Sequence, residues 1–246
     1  MNYWLLLSPI GMILIGLLTI IYWRTKHKSK LILFAWGGLL WFMAIMLKSV
    51  LDYTVMPYFY EFINNLWPAA LLVIASITLG LRTGFFESGI SYLMLKGKLK
   101  KPSWNDTIAI GIGFGASEAI LFGVLSLINM LVLMNPAFMS TLSEVELTML
   151  EAQLSQNTII VVAAWLERFF ALLVHVFATA LVIKALTKSK KKFLWWSIAF
   201  KSLIDTPVLL LQSFISESIV NAFIAESYIV LLGLAGFYGL KWLKNQ

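Results

Sequence analysis

Apolar residues occur along this chain in seven long runs, separated by short polar connections. The runs cover residues 4–23, 31–51, 66–95, 104–134, 158–186, 193–214 and 219–242. Each run reaches or exceeds the roughly 20 residues that a helix needs to cross the hydrocarbon core of a bilayer. The pattern predicts an all-α, polytopic membrane helix bundle with about seven transmembrane helices. Because no repeat or domain-sized linker interrupts it, we interpret residues 1–246 as a single transmembrane domain.

Composition strengthens this prediction and excludes several kinds of chemistry. Hydrophobic residues make up 60% of the chain and charged residues only 13%, which is not the composition of a soluble domain. The absence of cysteine excludes disulfides, thiolate metal ligands and a cysteine nucleophile. Any metal would therefore be bound by His, Asp or Glu.

The charged residues between the runs predict the topology. Basic residues cluster in alternate connections and at the end of the chain: Arg24, Lys26, Lys28 and Lys30; Lys96, Lys98, Lys100 and Lys101; Lys188, Lys190, Lys191 and Lys192; Lys241 and Lys244. The other connections, around 52–65, 135–157 and 215–218, carry only acidic charges. By the positive-inside rule, the N-terminus lies outside and the C-terminus in the cytoplasm of a bacterial-type plasma membrane. The net charge of +7 thus reports topology, and we expect no nucleic-acid partner.

The longest connection, 135–157, allows two interpretations. Glu144, Glu146 and Glu151 alternate with leucines there, which suggests a short amphipathic helix lying on the outer surface. An ordinary external loop fits the same residues.

Ionisable residues within the apolar runs are the candidate functional groups. They are Arg82, Glu87, Glu118, Glu167, Arg168, His175, Lys201 and Asp205. Such groups are costly in a bilayer, so they normally face the bundle interior and pair with one another. A rise of about 1.5 Å per residue predicts one layer with Glu87, Phe114, His175 and Lys201, and a second one nearer the middle with Arg82, Glu118 and Asp205. Lys48 is expected to reach the outer interface instead.

Six of these residues lie in four glycine-rich or charged motifs on successive helices. The motifs are Gly111-Ile112-Gly113-Phe114-Gly115-Ala116-Ser117-Glu118, Phe86-Glu87-Ser88, Glu167-Arg168-Phe169-Phe170-Ala171 and Lys201-Ser202-Leu203-Ile204-Asp205. In order and spacing, over about residues 66–212, they resemble the motifs of YhfC-type membrane peptidases. That family is related to the CAAX-prenyl-endopeptidase and bacteriocin-processing group and to PrsW-like intramembrane metalloproteases.

The resemblance implies a metal-dependent peptidase, yet this chain departs from the family pattern where the chemistry is most demanding. It implies Glu87 and Glu118 as catalytic residues, His175 and Asp205 as metal ligands, and zinc as the cofactor of an active enzyme. However, Phe114 and Lys201 stand where the family has histidines. An ammonium group beside a divalent cation is electrostatically unfavourable, so we expect no cofactor unless the chain is active.

Lys201 suggests what replaces the metal. A buried carboxylate without a partner would protonate or destabilise the bundle. We therefore predict that Lys201 compensates the charge of Glu87 across a helix interface. The fold would then persist without hydrolysis.

Each of the other residues also has a structural interpretation. His175 is a candidate packing residue, since a metal needs several good donors. Glu167 and Arg168 are expected to point to different neighbours, because adjacent side chains diverge on a helix. Glu118 can tie helices together, and Gly111, Gly113, Gly115 and Gly123 are expected to permit close helix packing.

Three functions remain open from the sequence. The first is a pseudoprotease that binds a membrane peptide or another membrane protein, with membrane lipid around it. The second is an active peptidase that uses Glu87, Glu118, His175 and Asp205. The third is a proton-linked or ion-linked transporter, which seven segments and a single deep interruption at Pro207 do not favour.

Overall fold

The computed structural model describes residues 1–99, 102–214 and 219–246, and these are almost entirely helical. A 3₁₀ turn at Tyr3–Leu6 precedes the first helix. The helices are α1 Leu7–His27, α2 Leu31–Thr54, α3 Met56–Ile63, α4 Pro68–Leu95, α5 Trp104–Leu133, α6 Pro136–Met139, α7 Glu144–Leu154, α8 Ile160–Thr187, α9 Lys192–Asp205, α10 Val208–Phe214 and α11 Ile219–Lys244. The acidic connection 215–218 and the basic residues Lys100 and Lys101 lie outside the described residues.

Seven spans in the described residues are long and apolar enough to cross a membrane, which confirms the predicted all-α membrane bundle. Six of them are α1, α2, α4, α5, α8 and α11. The remaining span, Lys192–Leu211, joins α9 to the start of α10. The orientation of the two termini stays a prediction.

Helix α8 lies at the centre of the bundle. The buried share of its most apolar window is 72%, whereas no other span exceeds 33%. It packs against α1, α4, α5, α9 and α11. A helix surrounded in this way must be apolar on all sides, so the charged residues of α8 need partners from its neighbours.

Helix α5 approaches its neighbours through its glycines. A Cβ atom at Gly111 would lie 2.8 Å from Cα of Val176 on α8, and one at Gly123 would lie 2.7 Å from Ile13 on α1. A Cβ atom at Gly113 would overlap the backbone of Phe34 on α2. The predicted role of these glycines in close helix packing is therefore confirmed. This close approach brings Phe114 and Glu118 next to α8.

A proline divides the sixth span. Pro207 has no N–H to donate and its ring opposes a continuous helix, so α9 ends at Asp205 and α10 begins at Val208. The N–H of Thr206 still bonds to the carbonyl of Ser202. The interruption places Asp205 at a helix end beside the central cavity.

Part of the connection 135–157 forms the helix α7, as the first of the two interpretations predicted, whereas its position on the outer surface stays a prediction. Its N-terminus is a capping box: the Ser143 N–H and hydroxyl both donate to Glu146, at 2.9 and 2.7 Å. These hydrogen bonds hold the pKa of the Glu146 carboxyl below its ordinary value. Leu150 and Leu154 are buried against Met134, so α7 packs on the end of the bundle.

Candidate functional site

The centre of the site is Glu87, a buried carboxylate that accepts hydrogen bonds from two lysines. Its Oε1 atom lies 2.6 Å from Nζ of Lys48, and its Oε2 atom lies 2.6 Å from Nζ of Lys201. Only 3% of Glu87 and 1% of Lys201 are exposed. The predicted pairing of Lys201 with Glu87 is present, and a second ammonium group completes it. Charge-assisted hydrogen bonds of this kind are roughly twice as strong as hydrogen bonds between neutral groups.

Lys48 was predicted to reach the membrane interface, and that prediction is wrong. The side chain is buried and turns inward to Glu87. The sequence does contain a signal for this position. Trp41, Ala44 and Lys48 share one face of α2 at a spacing of three and four residues, and all three are buried.

Phe114, at a position where the resemblance implied a histidine, lies between His175 and Lys201. Its ring is fully buried and stacks on the His175 imidazole, with centroids 5.1 Å apart and planes 25° apart. Nζ of Lys201 lies 3.5 Å from the centroid of the Phe114 ring. The ring therefore shields one side of the imidazole and provides a cation–π contact for the ammonium group.

His175 lies between two carboxylates. Its Nε2 atom is 3.1 Å from Oε2 of Glu118, and its Nδ1 atom is 3.6 Å from Oε2 of Glu87, beyond hydrogen-bonding distance. Glu118 also accepts hydrogen bonds from Nε1 of Trp41 and from Nη1 of Arg168, each at 3.0 Å. Glu118 thus joins α2, α5 and α8, which is the helix-tying role that the sequence suggested.

Glu167 and Arg168 do not point to different neighbours, contrary to our prediction. Arg168 donates to Glu118 through one nitrogen and to Glu167, the residue next to it, through the other. The guanidinium group has a planar fork of donors, which allows it to reach both carboxylates at once. Two acidic side chains therefore share one cation.

Arg82 does not belong to the buried network, which corrects its predicted place there. Its guanidinium group pairs with Asp52 near the end of α2, and the side chain of Asp52 is 43% exposed. Because Arg82 and Glu87 are five residues apart on α4, they lie on different faces of the helix. Asp205 remains next to the network and accepts a hydrogen bond from the Thr83 hydroxyl.

A cavity of about 1480 Å³ opens beside these groups. It is larger than the roughly 300–1,000 Å³ of most small-molecule sites. The network lines its floor, and the wall includes Gln153 and Asn157 near the end of α7 and Ala222 and Ala225 on α11. The hydroxyl of Tyr228 on α11 donates to the carbonyl of Leu203 on α9 at 2.6 Å, across one side of the cavity.

The donor set does not fit a catalytic metal ion. Zinc in hydrolases is bound by about three protein ligands with one position open. Among the described parts of the chain, no three His, Cys, Asp or Glu side chains lie close enough together to hold a metal. His175 contacts Glu118, whereas Asp205 is held by Thr83. Both oxygens of Glu87 already accept bonds from ammonium groups.

Comparison with known proteins identifies the family to which the chain is similar. The sequence model of the YhfC intramembrane metalloprotease family matches residues 11–229. The chain is also 26% identical over 254 residues to the uncharacterized membrane protein YhfC of Bacillus subtilis (strain 168), and this alignment covers 97% of the chain and 92% of that relative. No solved structure matches it. With its seven apolar spans, these similarities confirm an integral protein of a bacterial plasma membrane.

Proposed function

Because the chain belongs to the YhfC intramembrane metalloprotease family, we propose that it is a pseudoprotease, which binds a membrane peptide or a transmembrane segment of another protein without cutting it. The observation that carries this proposal is the double pairing of Glu87 with Lys48 and Lys201. Fixed ammonium groups supply the charge that a metal would otherwise bring to this carboxylate.

The chemistry of hydrolysis explains why ammonium groups in place of a metal ion would prevent cleavage. A metallopeptidase needs a cation that lowers the pKa of a bound water, and a carboxylate free to accept its proton. Here Glu87 is engaged on both oxygens, and Glu118 accepts bonds from Trp41 and Arg168. Neither carboxylate has the freedom that a general base requires.

The cavity supports a binding role. Its size suits a segment of chain rather than a small molecule, and it carries hydrogen-bonding side chains as well as apolar ones. A peptide inside a membrane must satisfy its backbone polar groups, because the hydrocarbon core offers no water for them. Gln153, Asn157 and Arg168 line the wall and provide donors and acceptors for that purpose.

The family itself favours a second candidate, an active metallopeptidase with a rearranged site. His175 and Glu118, whose side chains lie 3.1 Å apart, both line the cavity and would be its first two metal ligands. Metal content separates the two candidates. We expect chain purified in mild detergent without chelator to contain no stoichiometric zinc or other divalent metal. About one metal per chain, lost in His175→Ala, would establish the metallopeptidase instead.

Photo-crosslinking tests the binding role directly. A benzophenone amino acid at Ala225 would face the cavity, and one at Leu231 on the same helix, which is 65% exposed, serves as the matched control. We expect a discrete crosslinked membrane peptide or protein from Ala225 alone, reduced when Ala222→Trp narrows the cavity next to that position. Equal crosslinking from both positions, or none from Ala225, would contradict binding in the cavity.

A further inference from the structure

A second concave surface, unrelated to the charged network, lies on the outside of the bundle between α1, α5, α8 and α11. This groove has a volume of about 560 Å³. Its walls are apolar and include Ile15 and Leu18 on α1, Ile112 on α5 and Leu172 on α8. Leu18 is 58% exposed, so the groove is open to the surrounding lipid.

The groove has the depth of one leaflet. Its walls on α1 run from Ile15 to Trp23, nine residues whose eight steps rise about 12 Å in a helix. One leaflet of a bilayer contributes about 15 Å of hydrocarbon, half of the core of about 30 Å. The deep end therefore lies near the middle of the bilayer and the other end lies at its surface.

The surface end of the groove is aromatic and basic. Trp23 and Trp104 line it, and the Trp23 indole donates to the carbonyl of Asn105 at 3.2 Å, which joins the ends of α1 and α5. Lys241 and Lys244 close the groove from α11, and both are exposed. Tryptophan and lysine at this depth are typical of the boundary between hydrocarbon and headgroups.

The two lysines have no carboxylate partner among the described ion pairs. Nζ of Lys241 lies 4.4 Å from the centroid of Phe237, a residue of the groove wall. Asp106 follows Trp104 by two residues, and its carboxylate accepts bonds from the backbone N–H and hydroxyl of Ser103. The mouth of the groove is therefore positively charged.

We propose that this groove binds an anionic phospholipid, with an acyl chain along the apolar walls and the phosphate at Lys241 and Lys244. An anionic headgroup complements the charge of the mouth, and an acyl chain complements the walls over one leaflet. An apolar helix from a second copy of the chain would cover the walls but leave both ammonium groups without a counter-charge. The proposal is independent of what the central cavity binds.

Native mass spectrometry in detergent tests the proposal with phosphatidylglycerol and phosphatidylcholine of identical acyl chains. We expect wild-type protein to retain phosphatidylglycerol preferentially. Basic residues near an anionic headgroup contribute about fivefold each to affinity, so Lys241→Gln with Lys244→Gln should lower this preference by about 30-fold. The matched control, Lys190→Gln with Lys191→Gln, removes two exposed lysines at the same end of the bundle and should keep the preference.

Two further experiments distinguish the contribution of the acyl chain to binding from that of the headgroup. Leu18→Trp places a bulky ring in the groove from an exposed position and should reduce retention of both lipids. Glycerol 3-phosphate, which has the phosphate without the chains, should not displace bound phosphatidylglycerol. Equal retention of both lipids by the wild type, or an unchanged preference in the Lys241/Lys244 variant, would overturn the proposal. A wild-type dimer that dissociates in Leu18→Trp would also overturn it, because a second copy of the chain would then occupy the groove.

Discussion

Lys201 donates a 2.6 Å hydrogen bond to Glu87 across the interface between α9 and α4. On the α4 side, this interface is a row of small or short polar residues. Gly80 and Gly84 approach the backbone of α9, and Ser88 hydrogen-bonds to Ser197 at 2.8 Å. The row lets the helices approach closely, so that one lysine can reach a carboxylate on the opposite helix. The pair is therefore part of how α4 and α9 are held together in the bundle.

The Lys201–Glu87 pair should show strong energetic coupling. Lys201→Ala leaves Glu87 with one cation in a buried site, and breaking such a pair costs about 3–5 kcal/mol. Glu87→Ala added to it should recover part of that loss, with a coupling energy of about 0.5–3 kcal/mol. Thermal unfolding of the two single variants and the double variant in detergent measures this. Simple additivity would show that the two side chains do not stabilise each other.

Placing histidines at the two positions where the resemblance implies them should create a metal site. Phe114→His with Lys201→His places two imidazoles next to His175, from positions whose side chains already contact that ring or Glu87. We expect the double variant to bind zinc near one per chain, measured by metal analysis after purification. Phe114→His alone, with Lys201 still present, is the control and should bind much less. Zinc bound equally by both variants would show that Lys201 does not exclude a cation.

Gly113 should tolerate no side chain. A methyl group there would overlap the backbone of Phe34, so Gly113→Ala must separate α2 from α5 and should destabilise the protein by more than about 1 kcal/mol. Gly89 on α4 is the matched control, because a Cβ atom there meets nothing within 4 Å. Gly89→Ala should be neutral or stabilising by up to about 1 kcal/mol, since alanine favours helix. Thermal unfolding of both variants measures the difference, and equal effects would contradict the close packing.

Replacing Arg168 should destabilise the protein more than replacing Arg82. Arg168 is largely buried and pairs with Glu118 and Glu167, so Arg168→Leu should cost about 3–5 kcal/mol. Arg82 pairs with a half-exposed Asp52, and Arg82→Leu should cost about 1 kcal/mol or less. Unfolding temperatures of the two variants, measured side by side, provide the comparison. A larger loss for Arg82→Leu would show that the Arg82–Asp52 pair stabilises the protein more than the pairs of Arg168 do.

Labelling of single cysteines tests the topology, because the natural chain contains none. The positive-inside rule predicts that Lys190→Cys faces the cytoplasm and that Glu151→Cys faces outside. Both positions are exposed. An impermeant maleimide added to whole cells should label Glu151→Cys alone, and lysis should expose Lys190→Cys as well. The reverse pattern would invert the topology.

The pairing of Lys201 with Glu87 was predictable from the sequence, whereas the partners of Lys48, Arg82 and Arg168 were not. Counting residues along each helix predicted that Glu87, Phe114, His175 and Lys201 lie together, because the helical rise is constant, and these side chains are linked by contacts in the structure. Glu118, which the count assigned to a second layer, also contacts His175. The rotation of each helix is set by packing against its neighbours, which one sequence does not specify. Arg82 was therefore assigned to the interior although it pairs with Asp52, and Lys48 to the interface although it is buried.

The sequence by itself determined that this is a seven-helix membrane protein whose motifs resemble those of a peptidase family, with Phe114 and Lys201 at two positions where the resemblance implies histidines. Those conclusions depend on hydropathy, spacing and residue type, which are properties of the chain alone. Only the tertiary structure decided that Glu87 is paired twice, that Phe114 covers His175 and that Arg168 joins two carboxylates. The physical reason is that hydrogen bonds act over about 3 Å, a distance that a change in helix rotation or a shift of one turn exceeds.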